Sequence, residues 1–123
     1  MAKRLAEQSI FLGTGTIAGS LFSLGRYPGA VFPGRPGDKI HGEAVRLISP
    51  AASFPWLDEY ECCRPVDPEP KPYERVIAPV RLDSGGWFYA WVYFYNLPVA
   101  EAKFLPEGRF LQRFRHQRRP ISV

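Results

Sequence analysis

The chain is short of sulfur, of histidine and of unbroken apolar sequence, and each shortage closes off a class of answer. Its only cysteines are the neighbours Cys62 and Cys63. Adjacent cysteines rarely bridge and cannot complete a zinc site alone, so the pair reads as reduced thiols in a cytoplasmic protein. Its only histidines, His41 and His116, lie far apart, and there is no H-E-x-x-H, so no metal site is expected. No G-x-S-x-G elbow supports a Ser–His–Asp triad. No apolar run approaches the roughly 20 residues of a membrane helix. Lys3 and Arg4 precede a stretch interrupted by Glu7, Gln8 and Ser9, so no secretory leader is expected between Met1 and Leu12.

What is present is an apolar, heavily punctuated chain of 123 residues, 46% hydrophobic and 23% charged. That length suits one domain over 1–123, with 111–123 as a basic tail. Thirteen prolines and eleven glycines argue against a helix bundle and for short strands joined by turns, and the 15% of aromatics points the same way. The pattern predicts a helical lead over Lys3–Gln8 and strands at Ser9–Leu12, Thr14–Ser23, Ile40–Ile48, Tyr73–Asp83 and Trp87–Tyr95. Gly42 marks a candidate bulge, Tyr27-Pro28-Gly29 a turn, and Ser84-Gly85-Gly86 a hairpin turn. A short helix is predicted through FPWLDEYECC, capped by Ser49 or Ser53 with Pro55 in its first turn, and another over Leu105–Phe114. The fold class expected is α+β, a small mixed β-barrel with two or three short helices.

Charge is segregated. Six of the twelve acids fall between Asp58 and Glu74, while RFLQRFRHQRR, starting at Arg109, holds five arginines. A basic tail interleaved with Phe110 and Phe114 suits nucleic acid or an acidic membrane face. The acidic middle weighs against a nucleic-acid binder, and the helical spacing of the two phenylalanines favours docking on the body. Gly13, Gly15 and Gly19 approach a dinucleotide loop, but strand character follows them where the pyrophosphate needs a helix N-terminus. Turn glycines between strands fit better.

Chemistry concentrates in LDEYE, Leu57 to Glu61. On a helix, Leu57 and Glu61 stand at i and i+4, so a Leu57 facing the core turns Glu61 inward while Glu59 faces water. Desolvation of a carboxyl raises its pKa towards the range of a useful base. Spacing alone favours the plainer reading, in which Glu61 is a structural partner of an arginine such as Arg64 or Arg75.

The ordered segments GSLFSLGRYPGAV, HGEAVRL, LDEYE, PYERVIAPV, GGWFYAWVYFYN and LPEGRF resemble the gamma-glutamylcyclotransferase-like family, in its AIG2-like branch, from about Phe11 to Phe110. The resemblance implies a small mixed α/β barrel and a reaction on glutamate linked through its side-chain carboxyl to an amine. The substrate's own α-amino group attacks the γ-carbonyl, 5-oxoproline forms and the amine leaves. It implies Glu61, the last glutamate of the L-D-x-x-E motif, as the catalytic acid/base. It implies no cofactor, because the nucleophile belongs to the substrate and ring closure is intramolecular. It also places Tyr27 near the pocket, Glu43 along the cleft and Arg75 beside an acid of the site; these three are the candidate substrate-binding residues. Tyr93 and Tyr95 are expected to pack the core or anchor the barrel by their hydroxyls.

The family's N-terminal strand ending in Y-G-[ST]-L, whose amides hold the glutamyl group and face the oxyanion, has no counterpart in this sequence. Cys62 stands where many members carry glycine. Activity is therefore expected only if that loop is supplied. The rival reading is an inactive member serving as a binding or interaction module. A sheet lacking a strand exposes an edge, so a homodimer through that edge is expected. The expected partners are a small γ-glutamyl compound and a second copy, with no membrane.

Overall fold

The computed structural model describes residues 2–110 and 120–122. Among them are two helices, α1 (Ala2–Glu7) and α2 (Pro50–Tyr60), and eight strands. The strands are β1 (Ser9–Ala18), β2 (Ser20–Ser23), β3 (Pro28–Val31), β4 (Lys39–Leu47), β5 (Tyr73–Leu82), β6 (Trp87–Tyr95), β7 (Lys103–Leu105) and β8 (Pro120–Ser122). The class is α+β, as expected. No helix among these residues is long and apolar enough to cross a membrane.

Four long strands form the body, antiparallel in the order β4-β1-β5-β6. The three-residue β8 pairs parallel with β4 and touches β6 at Trp91–Ser122, so the ring of pairings returns on itself only through this minimal link. Without β8 the sheet is curled and open. A second sheet, ordered β3-β2-β7, lies beside it.

The weak point of the curl is the crossing of β1 and β5, which pair only at Gly15–Leu82 and Thr16–Arg81. Gly15 permits that crossing: a Cβ there would stand 2.6 Å from the carbonyl oxygen of Arg81. Thr14 and Asp83 extend it by a side-chain hydrogen bond of 2.7 Å and a backbone one of 3.0 Å.

Period-two alternation divides the apolar residues between two cores. Ala90, Val92 and Phe94 of β6 point into the curl with Ile17, Leu21, Ile40, Ala78 and Val80. Tyr93 and Tyr95 point outward, where Leu5, Leu47, Leu57 and Tyr73 form a second cluster roofed by the helices.

Several local expectations are corrected. The strand predicted to break at Leu12 runs on to Ala18, and its irregularity lies between Phe11 and Gly13, whereas Gly42 pairs in register with Gly15. The turn after β2 falls three residues early, over Leu24–Tyr27. Gly25, at φ +101°, supplies the left-handed residue, Leu24 N–H donates to the Tyr27 carbonyl at 2.8 Å, and Pro28 opens β3 instead of a turn. Helix α2 starts five residues before Pro55, with Pro50 at its first position. The helix predicted over Leu105–Phe114 is replaced at its start by β7, because Phe104 packs on Phe22 and Leu105 pairs with Leu21. Pro106 disfavours helical geometry at the residue before it. From Pro106 to Phe110 the chain makes a turn, closed by the Gly108 amide on the Leu105 carbonyl at 3.0 Å, and no helix. Residues 111–114 of that prediction, and His116 with most of the basic tail, lie outside the described residues.

Candidate functional site

The site is built on the last turn of α2. Along this helix Ser53 and Leu57 are its buried residues, one turn apart, and Glu61 continues the same stripe at 4% exposure. The inward face predicted from LDEYE is therefore the observed one. The first two turns of α2 are held from the turn after α1: the Gln8 side-chain oxygen accepts from Ser53 Oγ at 2.7 Å and from Trp56 Nε1 at 2.9 Å. The N-cap, Ser49, makes no side-chain capping bond, so Gln8 supplies the anchoring that the cap does not.

Glu61 is the residue where α2 ends. The Cys63 amide donates to the Asp58 carbonyl at 3.0 Å and the Cys62 amide to the Glu59 carbonyl at 3.1 Å. This pair of bonds, with Cys62 at φ +55°, is a Schellman turn. It accounts for the glycine that the resemblance implies at that position, since φ > 0 is cheap for glycine alone. The Cys63 side chain packs against the cluster containing Leu57. The turn thus folds back on the core and keeps the Glu61 Oε2 atom shielded from water.

Beside that turn lies a network centred on Asp58. Arg75 Nε and Nη2 donate to the two Asp58 oxygens at 2.9 and 3.1 Å. The Tyr93 hydroxyl donates to Oδ1 at 2.5 Å, and the Cys63 thiol reaches the same oxygen at 3.7 Å. The Arg75 guanidinium sits over the rings of Phe54 (4.0 Å) and Trp91 (4.7 Å), which themselves meet edge to face. Burial, then the charge of Asp58 and its hydrogen bond, with Glu61 adding to them, push the Cys63 thiol up to about 12. Burial and the Asp58 hydrogen bond push the Tyr93 hydroxyl well above its ordinary value. Both groups stay protonated and serve as donors at neutral pH.

The acid expected beside Arg75 is therefore Asp58. Arg64, the other arginine considered for Glu61, is engaged with Asp67 at 2.9 Å. That hydrogen bond holds the Asp67 carboxyl below its usual range. Tyr27 is 43% exposed and precedes Pro28, whose carbonyl accepts from the Tyr73 hydroxyl at 3.5 Å, so it borders the outer cluster. Glu43 is half-buried on β4 opposite Thr14, with β1 between it and the strand of Arg75. Of the predicted residues, Glu61 and Arg75 are thus brought to one place through Asp58, and Glu43 belongs to another part of the sheet.

The central role of Asp58 escaped the sequence reading. It was readable in part: Phe54 and Asp58 are i and i+4 on α2, and Trp91 and Tyr93 are i and i+2 on one face of β6. Which acid the arginine would take was not.

Among curated proteins and among solved structures nothing matches the chain. The profile of the family described as gamma-glutamyl cyclotransferase, AIG2-like, matches residues 1–112 and so takes in both helices, β1 to β7 and the whole Asp58–Glu61 neighbourhood. With the buried glutamate and the α+β curl in the order that the motifs led one to expect, the chain belongs to the AIG2-like gamma-glutamyl cyclotransferase family.

Proposed function

We propose that this protein cyclises γ-glutamyl amines or amino acids to 5-oxoproline, releasing the amine, with Glu61 as general acid and base. The observation that carries the reading is the burial of Glu61 at the end of α2 within the L-D-x-x-E segment. The reaction needs one proton moved twice. The substrate's α-ammonium must lose a proton before its nitrogen can attack the γ-carbonyl. The C–N bond to the amine then breaks and that nitrogen takes a proton. A single shielded carboxylate can do both, contributing about 10²–10⁴-fold. Proximity of nucleophile and carbonyl is already present in the substrate. Tyr27 and Arg75 are the proposed substrate-facing residues, Glu43 being left out by its place on the far side of β1, and the reading places the protein in the cytoplasm, where its free thiols stay reduced.

The test is 5-oxoproline release from a panel of γ-glutamyl amines and amino acids by the wild type and Glu61→Gln. Turnover by the wild type with a loss of at least about 10²-fold in Glu61→Gln is expected. An active wild type with an equally active Glu61→Gln overturns the assignment. A folded wild type that turns over none of the panel, yet is stabilised by one of its compounds in a thermal shift, favours a binding module.

We further propose a homodimer through the free margin of β1. From Ser9 to Gly13 that strand has a ladder only to β4 among the described residues. Ile10, Phe11 and Leu12 are exposed there, and no charge or proline guards the segment.

A further inference from the structure

We infer that Asp58 is a positioning residue that fixes where the Glu61 carboxyl stands, an inference that rests on the proposed role of Glu61. Asp58 grips the turn in two ways. Its backbone carbonyl accepts the Cys63 amide and closes the Schellman loop, and its carboxylate takes the Cys63 thiol. Glu61 lies inside the loop so closed. The grip transmits a fixed reference because the other side of the carboxylate is tied to the sheet. Arg75 comes from β5 and Tyr93 from β6, in register opposite one another. Arg75 is itself pinned between Phe54, one turn earlier on α2, and Trp91 on β6. Helix, hairpin and turn therefore meet on one carboxylate.

The chemistry of the four donors explains why the residue must be an acid. Two guanidinium N–H groups, a hydroxyl and a thiol all need an acceptor, and an ionised carboxylate offers acceptor sites only. Asparagine would turn an N–H towards at least one of them. A carboxylate so surrounded holds the turn without needing to touch substrate. Displacement of a reacting group by about 1 Å can cost 10²-fold, so looseness at Asp58 is read in turnover.

The experiment compares Asp58→Asn, Tyr93→Phe and Glu61→Gln with the wild type by three readouts. These are amide hydrogen exchange at Cys62 and Cys63, the steady-state kcat and KM for the γ-glutamyl substrate, and the pH profile of kcat. Asp58→Asn is expected to lose about tenfold or more protection at the two turn amides while the β5–β6 ladder stays protected. Its kcat should fall about 10–100-fold with KM changed by less than about threefold and the pH profile displaced. Tyr93→Phe, which keeps the charge and removes one donor, should shift both readouts in the same direction by less. Should Asp58→Asn not fold, Tyr93→Phe decides. Wild-type exchange at Cys62 and Cys63 in the folded variant overturns the inference, whether or not turnover is measurable. So does a kcat and pH profile equal to wild type. Glu61→Gln separates the two ideas: full activity there defeats the role of Glu61, whereas loss there with unaltered Asp58→Asn and Tyr93→Phe defeats only the positioning.

Discussion

The residue after the buried glutamate carries a cost that a single substitution removes. Cys62 adopts φ +55°, a conformation worth about 1–2 kcal/mol against any side chain with a Cβ. Its side chain is exposed, so no packing is lost on truncation. Glycine would relieve the strain but give the unfolded chain more freedom, a penalty of about 0.5–1 kcal/mol. The strain is the larger effect, and Cys62→Gly is expected to stabilise the fold by about 0.5–1 kcal/mol. Urea denaturation followed by circular dichroism measures it, and a lower midpoint would mean that the turn opens out in solution. The same residue illustrates a general point about this site. Positive φ at the C′ position lets the chain reverse, and the reversal brings Cys63 back onto the outer core beside the stripe that Glu61 ends.

At the scale of the elements, the narrowest fit is between β1 and β5. With a Cβ at position 15 only 2.6 Å from a backbone oxygen, backbone would have to move against backbone. Gly15→Ala is therefore expected to destabilise by about 1–3 kcal/mol, more than the roughly 0.4–1 kcal/mol that alanine gains by restricting the unfolded chain. A thermal midpoint at or above wild type would show that the two strands are not held at this crossing. The elements themselves were legible to different degrees, for physical reasons. Trp87–Tyr95 was readable residue for residue, because eight strand formers and one alanine stand between a glycine turn and Asn96. The inward Glu61 was readable from its spacing to Leu57, since the helical period is fixed. The small β3-β2-β7 sheet was not, because β7 is three residues long and its partner is some 80 positions away, so its extended form follows from tertiary pairing with Leu21 to Ser23. The hub at Asp58 was hidden for a similar reason. Local spacing offered two arginines and several acids; Arg64 took Asp67, three residues on, in its own loop, and only the packing of α2 across the hairpin chose Arg75 for Asp58.

For the molecule as a whole, the two ends of the β1–β5 crossing are unequal. From Glu74 to Val80, β5 has a ladder only to β6 among the described residues, and it carries Pro79, a residue that suits an edge and blunts it. The margin of β1 from Ser9 to Gly13 has no such guard, and Phe11 beside it is 60% exposed. A second copy can lay its own β1 antiparallel against this margin about a two-fold axis, so that each strand completes the other and the same side chains meet on both sides. Multi-angle light scattering at micromolar concentration should then give a dimer. Phe11→Lys, which puts like charges across the axis, should give a monomer with its circular dichroism intact. A wild type that runs as a monodisperse monomer would defeat the proposal. A dimer indifferent to Phe11→Lys would place the interface elsewhere. Because Phe11 is exposed and outside the cluster around Leu57, the monomeric variant should keep the exchange behaviour of Cys62 and Cys63, which separates assembly from the site.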